Sequence, residues 1–100
     1  MKNSNIGNII KKFRHAKGLA QIDLASKAGI SRGFLSSIET GRFFPSYHCL
    51  ELLFFHLGVP MPLALFISFR EEEIKEFPPS LKIKILEVQN LTKSYLGICS

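Results

Sequence analysis

The chain has 100 residues, of which 46% are hydrophobic and 21% are charged, and its formal net charge is +5. This length fits one domain with a single core and excludes an enclosed active site of much complexity. The positive charge favours a polyanionic partner, because basic residues attract phosphates.

The first predicted helix has apolar residues at helical spacing, namely Ile6, Ile9, Ile10 and Phe13. Gly18 follows that run and is expected to end the helix. The chain is polar from its start through Asn8, so we expect no cleavable signal sequence and predict a cytoplasmic protein.

Residues 21–41 predict two short helices joined by a tight turn. Gly29 follows the apolar face of the first helix and suits the left-handed conformation that ends a helix. Ser31, two residues later, is a strong N-cap for the second helix. Two helices joined in this way are the arrangement that places a helix in the major groove of DNA.

The second helix of the pair, predicted over 32–39, has an apolar side and a polar side. At about 100° per residue the apolar side holds Phe34, Leu35 and Ile38, and the polar arc holds Arg32, Gly33, Ser36 and Ser37. Small side chains let the backbone approach a partner, and Arg32 can donate two hydrogen bonds to a guanine edge or contact a phosphate. An ordinary solvent-exposed amphipathic helix is the alternative interpretation.

An ordered set of residues matches a known pattern. It contains Gln21, Leu24-Ala25, Gly29-Ile30-Ser31, Ile38-Glu39, Gly41 and Pro45-Ser46. With these residues, the stretch 6–65 resembles the Cro and lambda-repressor type of helix-turn-helix domain, also called the xenobiotic-response-element family. The resemblance implies an all-α fold, a compact bundle of five helices that binds double-stranded DNA, usually as a homodimer.

The resemblance also implies roles for individual residues. Gln21 corresponds to a glutamine that binds a backbone phosphate and supports the recognition helix. Base contacts fall to Arg32, Gly33 and Ser37, with Phe34 placed to contact a thymine methyl. The predicted DNA-binding set is completed by the N-cap Ser31 and by Ser36, Thr40 and Arg42, which correspond to sugar-phosphate contacts.

Three departures from the family pattern affect these expectations. Ala20 stands where Ser or Thr usually caps the second helix, which forfeits about 1 kcal/mol. Gly33 replaces a longer side chain, so base recognition would rest on Arg32 and Phe34 together with DNA shape. The additional phenylalanine side chains at positions 43, 44 and 55 imply a larger core or a partner surface.

Charged residues are distributed unevenly along the chain. Through Pro45 there are eight basic and two acidic residues, a net of +6, and beyond it five basic and six acidic residues, a net of −1. The positive charge therefore lies on the half with the helix-turn-helix, as attraction to phosphates requires. Within that half, Arg14 and Glu39 correspond in the resemblance to a structural ion pair between the first and third helices.

Two further helices complete the predicted five-helix bundle. Ser46 caps the fourth and Gly58 ends it, while Pro62 suits the first turn of the fifth, which runs to Phe69.

From 52 to 69 there is no formally charged residue, and 18 residues are just long enough to cross a membrane. The Gly-Val-Pro-Met-Pro sequence at 58–62 breaks this run, so we predict no membrane span.

Beyond the fifth helix the resemblance ends. Residues 70–76 predict either a continuation of that helix or a connector, and Ser80 is the expected N-cap of a sixth helix. The sixth helix is favoured over a strand by apolar residues at helical spacing, at Leu81, Ile85, Val88, Leu91 and Tyr95. We predict a DNA-binding domain over 1–69 and an extension over 70–100 that packs on the core or on a second subunit, with dimerisation through 54–96.

No enzyme, metal site or cofactor is expected. The three histidines have no partner spacing for zinc, and no glycine-rich phosphate loop occurs. Cys49, expected in the core, and Cys99, expected in an exposed tail, are predicted to be reduced thiols. The sequence therefore predicts a sequence-specific DNA-binding transcriptional regulator, expected to be a repressor. The alternative is an antitoxin or an accessory protein that uses the same fold to hold a protein partner.

Overall fold

The computed structural model describes residues 5–98, which form six α-helices and one short 3-10 helix. The helices are α1 (Asn5–Ala16), α2 (Gln21–Ala28), α3 (Arg32–Glu39), α4 (Tyr47–Leu57), α5 (Met61–Ser68) and α6 (Pro79–Leu96), with the 3-10 turn at Glu71–Glu73. No strand occurs in this part of the chain. The all-α class, the five-helix bundle and the sixth helix are thus confirmed, while Cys99 lies outside the described residues.

The core is built from the apolar faces of the first five helices. Its fully buried side chains include Ile9, Ile10, Leu24, Leu35, Ile38, Leu53, Phe54, Leu57 and Ile67. The rings of Phe13 and Phe54 meet edge to face with their centroids 6.4 Å apart, a favourable arrangement of two aromatic quadrupoles. This packing joins α1 to α4 and holds the bundle together.

The helix ends in the helix-turn-helix follow the sequence signals. Gly29 ends α2 with a φ of 74°, and its backbone N–H donates to the last carbonyls of that helix. The Ser31 hydroxyl accepts a hydrogen bond of 3.0 Å from the Phe34 backbone N–H and so caps α3. Ala20 offers no side-chain cap to α2, but the Asp23 carboxylate accepts a hydrogen bond of 3.2 Å from the Ala20 N–H. One half of a capping box therefore remains at that helix start.

The apolar pair α4 and α5 turns sharply at its junction. Ser46 caps α4 through the Cys49 N–H, Gly58 ends it, and Pro62 lies in the first turn of α5, as predicted. Among residues 5–98 no single helix is long and apolar enough to span a membrane. Only α4 and α5 taken together have the necessary length and apolar composition, and the angle between them is 104°.

The region after α5 selects one of the two predicted alternatives and differs from the sequence prediction in one detail. Residues 69–78 form a connector that contains the 3-10 turn, so α5 does not continue. The sixth helix begins at Pro79 with Pro78 as its N-cap residue, and Ser80 makes no cap. Proline suits this start because its missing N–H is not needed in the first turn and its fixed φ is already helical. The expectation that Ser80 caps α6 was therefore wrong.

The face that α6 packs against the bundle centres on a polar residue. Gln89 is 4% exposed, and its side-chain amide donates to the carbonyl oxygens of Phe66 and Phe69 at 2.8 and 3.2 Å. These carbonyls lie at the end of α5, where a helix runs out of N–H groups of its own, and the Phe66 carbonyl also accepts from the Phe69 N–H at 3.4 Å. Ile98, just after α6, is buried in the main core. The extension is thus attached to the bundle at two points.

Candidate nucleic-acid interface

The exposed face of α3 is small and open. Arg32 and Gly33 are exposed, and Ser36 and Ser37 are half-buried beside them. A Cβ atom built on Gly33 would meet no heavy atom within 4 Å. The polar arc predicted from the sequence is therefore a surface that a partner can approach closely.

The position of α3 depends on a close contact with α1. A Cβ atom on Gly7 would overlap the backbone carbonyl oxygen of Ile38, so only glycine allows the two helices to approach this far. The packing fixes the end of α3 against the amino-terminal helix. It thereby sets the angle at which the polar arc leaves the bundle.

A buried ion pair links α1 to the end of α3. Nε and Nη2 of Arg14 donate to Oε2 and Oε1 of Glu39 at 2.7 and 3.0 Å, a bidentate geometry. Nη1 of Arg14 donates to the carbonyl oxygen of Leu19 at 2.8 Å, in the loop before α2. Both charged side chains are buried, so the sequence prediction of a structural pair is confirmed.

Gln21 extends this pair toward the surface. Its Nε2 donates to Oε1 of Glu39 at 3.0 Å, and its Oε1 accepts from Nη1 of Arg32 at 3.2 Å. The four side chains of Arg14, Glu39, Gln21 and Arg32 therefore form one continuous hydrogen-bonded network, which we call the polar network. It begins in the buried pair and ends at the exposed start of α3.

The sequence did not predict that Glu39 would hold Gln21. The two residues are 18 positions apart, and the family resemblance gave them separate roles. Only the packing of α2 against α3 brings the two side chains together. Glu39 thus positions the surface glutamine in addition to balancing Arg14.

The remaining predicted site residues lie at the far end of α3 and in the loop after it. The Thr40 hydroxyl donates to the carbonyl oxygens of Ser36 and Ser37 at 3.0 and 3.2 Å, and Thr40 and Arg42 are both exposed. The Arg42 backbone N–H binds the Ser37 carbonyl, which turns the chain tightly at this point. All members of the predicted set from Ser31 to Arg42 therefore lie on or beside one short helix.

Phe34 is occupied within the protein. Its ring is half-buried against the core and lies 4.9 Å from the ring of Phe43, measured between centroids. The extra ring of Phe43 thus covers an apolar side of α3, while Phe44 remains 57% exposed next to it. Phe34 supports the helix, and its contact with a thymine methyl stays a prediction.

Metal chemistry has no visible basis in the part of the chain that is described. Residues 5–98 contain no group of three or more His, Cys, Asp or Glu side chains placed to hold a metal ion. Cys49 is half-buried rather than fully in the core, and burial raises the pKa of its thiol.

The chain is similar to one protein family and to two phage proteins. A family model described as helix-turn-helix matches residues 10–61. The "Immunity repressor protein" of Bacillus phage phi105 is 41% identical over 54 residues, which is 54% of this chain and 38% of that protein. The "ImmF control region 10 kDa protein" of the same phage is 44% identical over 46 residues, 46% of this chain and 51% of that protein. The matches thus span about half or less of these two relatives.

Two solved structures of the clp gene regulator ClgR from Corynebacterium glutamicum have a similar fold. One superimposes with a TM-score of 0.60 and 31% identity, covering 62% of this chain and 80% of that chain. The other has a TM-score of 0.61 and 23% identity, and it covers 92% of this chain and 80% of that chain. The second likeness extends over α6 and concerns the fold alone. With the family model matching residues 10–61 and the two-helix motif at its centre, the chain belongs to the helix-turn-helix family.

Proposed function

We propose that this protein is a sequence-specific DNA-binding transcriptional regulator that represses transcription by occupying an operator. The polar network is the observation that carries the proposal, since it fixes an arginine at the start of an exposed helix with small side chains. The helix-turn-helix family match and the phage relative named an immunity repressor support the same function.

The proposed roles follow from where each side chain lies. Arg32 is the base-contacting residue, because it is exposed and its guanidinium matches the two acceptors of guanine. Gln21, Thr40 and Arg42 bind the sugar-phosphate backbone, and Gly33 lets the helix approach the groove. The phosphate contacts set the register and orientation of the protein on the duplex, while Arg32 supplies the sequence preference.

We propose that the protein binds as a homodimer in the cytoplasm. The dimer surface lies within 54–96, as expected from the sequence, and residues 1–69 form the DNA-binding domain with 70–100 as its extension. Two copies related by a two-fold axis would read two half-sites about one helical turn apart.

Selection of bound duplexes from a random pool tests the function. We expect enrichment of a two-fold symmetric sequence with guanine in each half-site. A pool that stays random after repeated rounds, while the protein retains DNA, would reduce the function to non-specific binding.

An accessory or antitoxin role is the second candidate. The observation that favours it is an open groove of about 490 Å³ on α4 and the start of α5, bordered by Tyr47 and Phe55, which are 65% and 76% exposed. Exposed rings around a groove are typical of protein-binding surfaces. A chain that is monodisperse only with a second protein bound would favour this role.

A further inference from the structure

The helix α6 exposes a row of apolar side chains that its own domain does not cover. Leu81, Val88, Leu91 and Tyr95 are 45%, 48%, 71% and 89% exposed. Their spacing of three, four or seven residues places them within an arc of about 80° on the helix surface. We call these four residues the α6 row.

The α6 row is separate from the face that packs on the bundle. Gln89, which fixes that face to the end of α5, lies about 120° around the helix from the centre of the row. The rest of the exposed surface is mostly polar, with Glu87, Asn90 and Ser94, and includes one large apolar residue, Ile83. The helix therefore has two distinct faces, of which its own chain covers the one centred on Gln89 and leaves the α6 row exposed.

We infer that the α6 row is where two copies of this chain pair, with their α6 helices antiparallel and Val88 beside the two-fold axis. The inference deepens the proposed function by naming the surface that joins two DNA-binding units. A two-fold interface must be complementary to itself. The α6 row meets this condition, because Leu81 and Tyr95 lie seven residues on either side of Val88 and so face each other across the axis.

A lysine within the same arc selects the antiparallel arrangement. Lys84 lies between Leu81 and Val88, at helical spacing from both. In a parallel pair it would face the same lysine of the second copy, and like charges at such a position are destabilising. In the antiparallel pair centred on Val88 it lies opposite Thr92 of the partner subunit. Nζ of Lys84 also lies 4.0 Å from Oε1 of Glu87 on the same helix. The Glu87 carboxylate thus balances the lysine charge at the edge of the contact.

Pairing through α6 is compatible with DNA binding. The helix packs on α5, whereas the DNA-facing helix α3 packs on α1 and α2. The site residues from Arg32 to Arg42 therefore stay uncovered when the row is buried. Four side chains per copy are fewer than a standard interface of about 800 Å² per partner contains, so the association is expected to be concentration-dependent.

Sedimentation of four proteins without DNA tests the surface: the unaltered chain, Leu91→Glu, Ile83→Glu and Phe55→Glu. Ile83 is a matched control because it is an apolar residue of the same helix, 57% exposed but outside the row, and Phe55 probes the groove on α4. We expect the unaltered chain to dimerise as its concentration is raised to about 100 μM. Leu91→Glu should raise the dimer dissociation constant at least tenfold. Ile83→Glu and Phe55→Glu should leave it within about threefold. Circular dichroism confirms that each variant is folded.

Cross-linking tests the register in a background with Cys49→Ala and Cys99→Ala. Val88→Cys should form a disulfide-linked dimer under mild oxidation, because the two sulfur atoms lie beside the axis. Leu81→Cys should not, because in the antiparallel pair it faces Tyr95 of the partner subunit, whereas in a parallel pair it would face its own copy and cross-link as well. A monomer at every concentration would overturn the inference, and so would loss of the dimer in Phe55→Glu but not in Leu91→Glu. Equal cross-linking at both cysteines would overturn the antiparallel register.

Binding of the monomeric chain to anionic phospholipid vesicles, lost in Leu91→Glu, would assign the row to a membrane instead. Because no DNA is present, these results stand apart from failure of the proposed function.

Discussion

Nη1 of Arg32 donates a hydrogen bond of 3.2 Å to Oε1 of Gln21, so the first residue of α3 is held by the first residue of α2. The same glutamine donates to Glu39, which is bound to Arg14. The guanidinium that would contact bases is thus oriented by a chain of side chains rooted in the core. Preorganisation of this kind lowers the entropy that a long side chain loses on binding.

The pair Gln21 and Arg32 should act as a unit in DNA binding. In a double-mutant cycle of Gln21→Ala and Arg32→Ala, measured by fluorescence anisotropy on the selected site, we expect a coupling energy of about 0.5–3 kcal/mol. Gln21→Ala combined with Arg42→Ala is the control and should be additive within about 0.5 kcal/mol. Additivity of Gln21 with Arg32 would show that the hydrogen bond does not orient the arginine for DNA.

The buried pair of Arg14 and Glu39 should be a stability determinant. Arg14→Met leaves a buried carboxylate without its cation, and we expect a loss of about 3–5 kcal/mol in the free energy of unfolding by urea. The double variant Arg14→Met with Glu39→Leu removes both charges, and most of that loss should return. A single variant that loses less than about 1 kcal/mol would contradict the burial of the pair.

Two glycines, one in α1 and one in α3, should respond to alanine in opposite directions. Gly7→Ala places a methyl group against the Ile38 carbonyl, and we expect a loss of about 1–3 kcal/mol or more in stability. Gly33→Ala enters open space within a helix, and we expect a gain of about 0.5–1 kcal/mol. Thermal unfolding of both variants measures the difference. Equal shifts would mean that α1 and α3 do not approach as closely as the structure has them.

Salt should weaken DNA binding steeply. If each subunit of a dimer neutralises about four phosphates, the logarithm of the association constant should fall against the logarithm of salt concentration with a slope near −7. A titration series on a random-sequence duplex measures the slope. A slope near −3 or −4 would be that of one bound subunit.

Much of the helix-turn-helix could be predicted from sequence because its determinants are local. Gly29 and Ser31 set the ends of α2 and α3 through their own backbone and side chain, and both act as predicted. Ser46 and Gly58 do the same for α4. The ion pair of Arg14 followed from the family resemblance alone, since 25 residues separate its partners.

The features that escaped prediction depend on how helices meet. Helical spacing identified apolar residues along α6, but it could not tell which side would face the bundle. A polar residue, Gln89, took that place by binding two carbonyls at the end of α5. The contact of Gln21 with Glu39 likewise arises only when α2 and α3 pack. Ser80 was expected as a cap from its residue type, whereas the helix already begins at Pro79, with Pro78 as its N-cap residue.

The most direct test compares two dissociation constants for the unaltered protein and for Arg32→Ala, one on the selected site and one on a scrambled duplex of equal length and composition. We predict that Arg32→Ala weakens binding to the selected site by about 1–3 kcal/mol and changes binding to the scrambled duplex much less. An equal loss on both duplexes would make Arg32 a phosphate contact and contradict its role in sequence recognition.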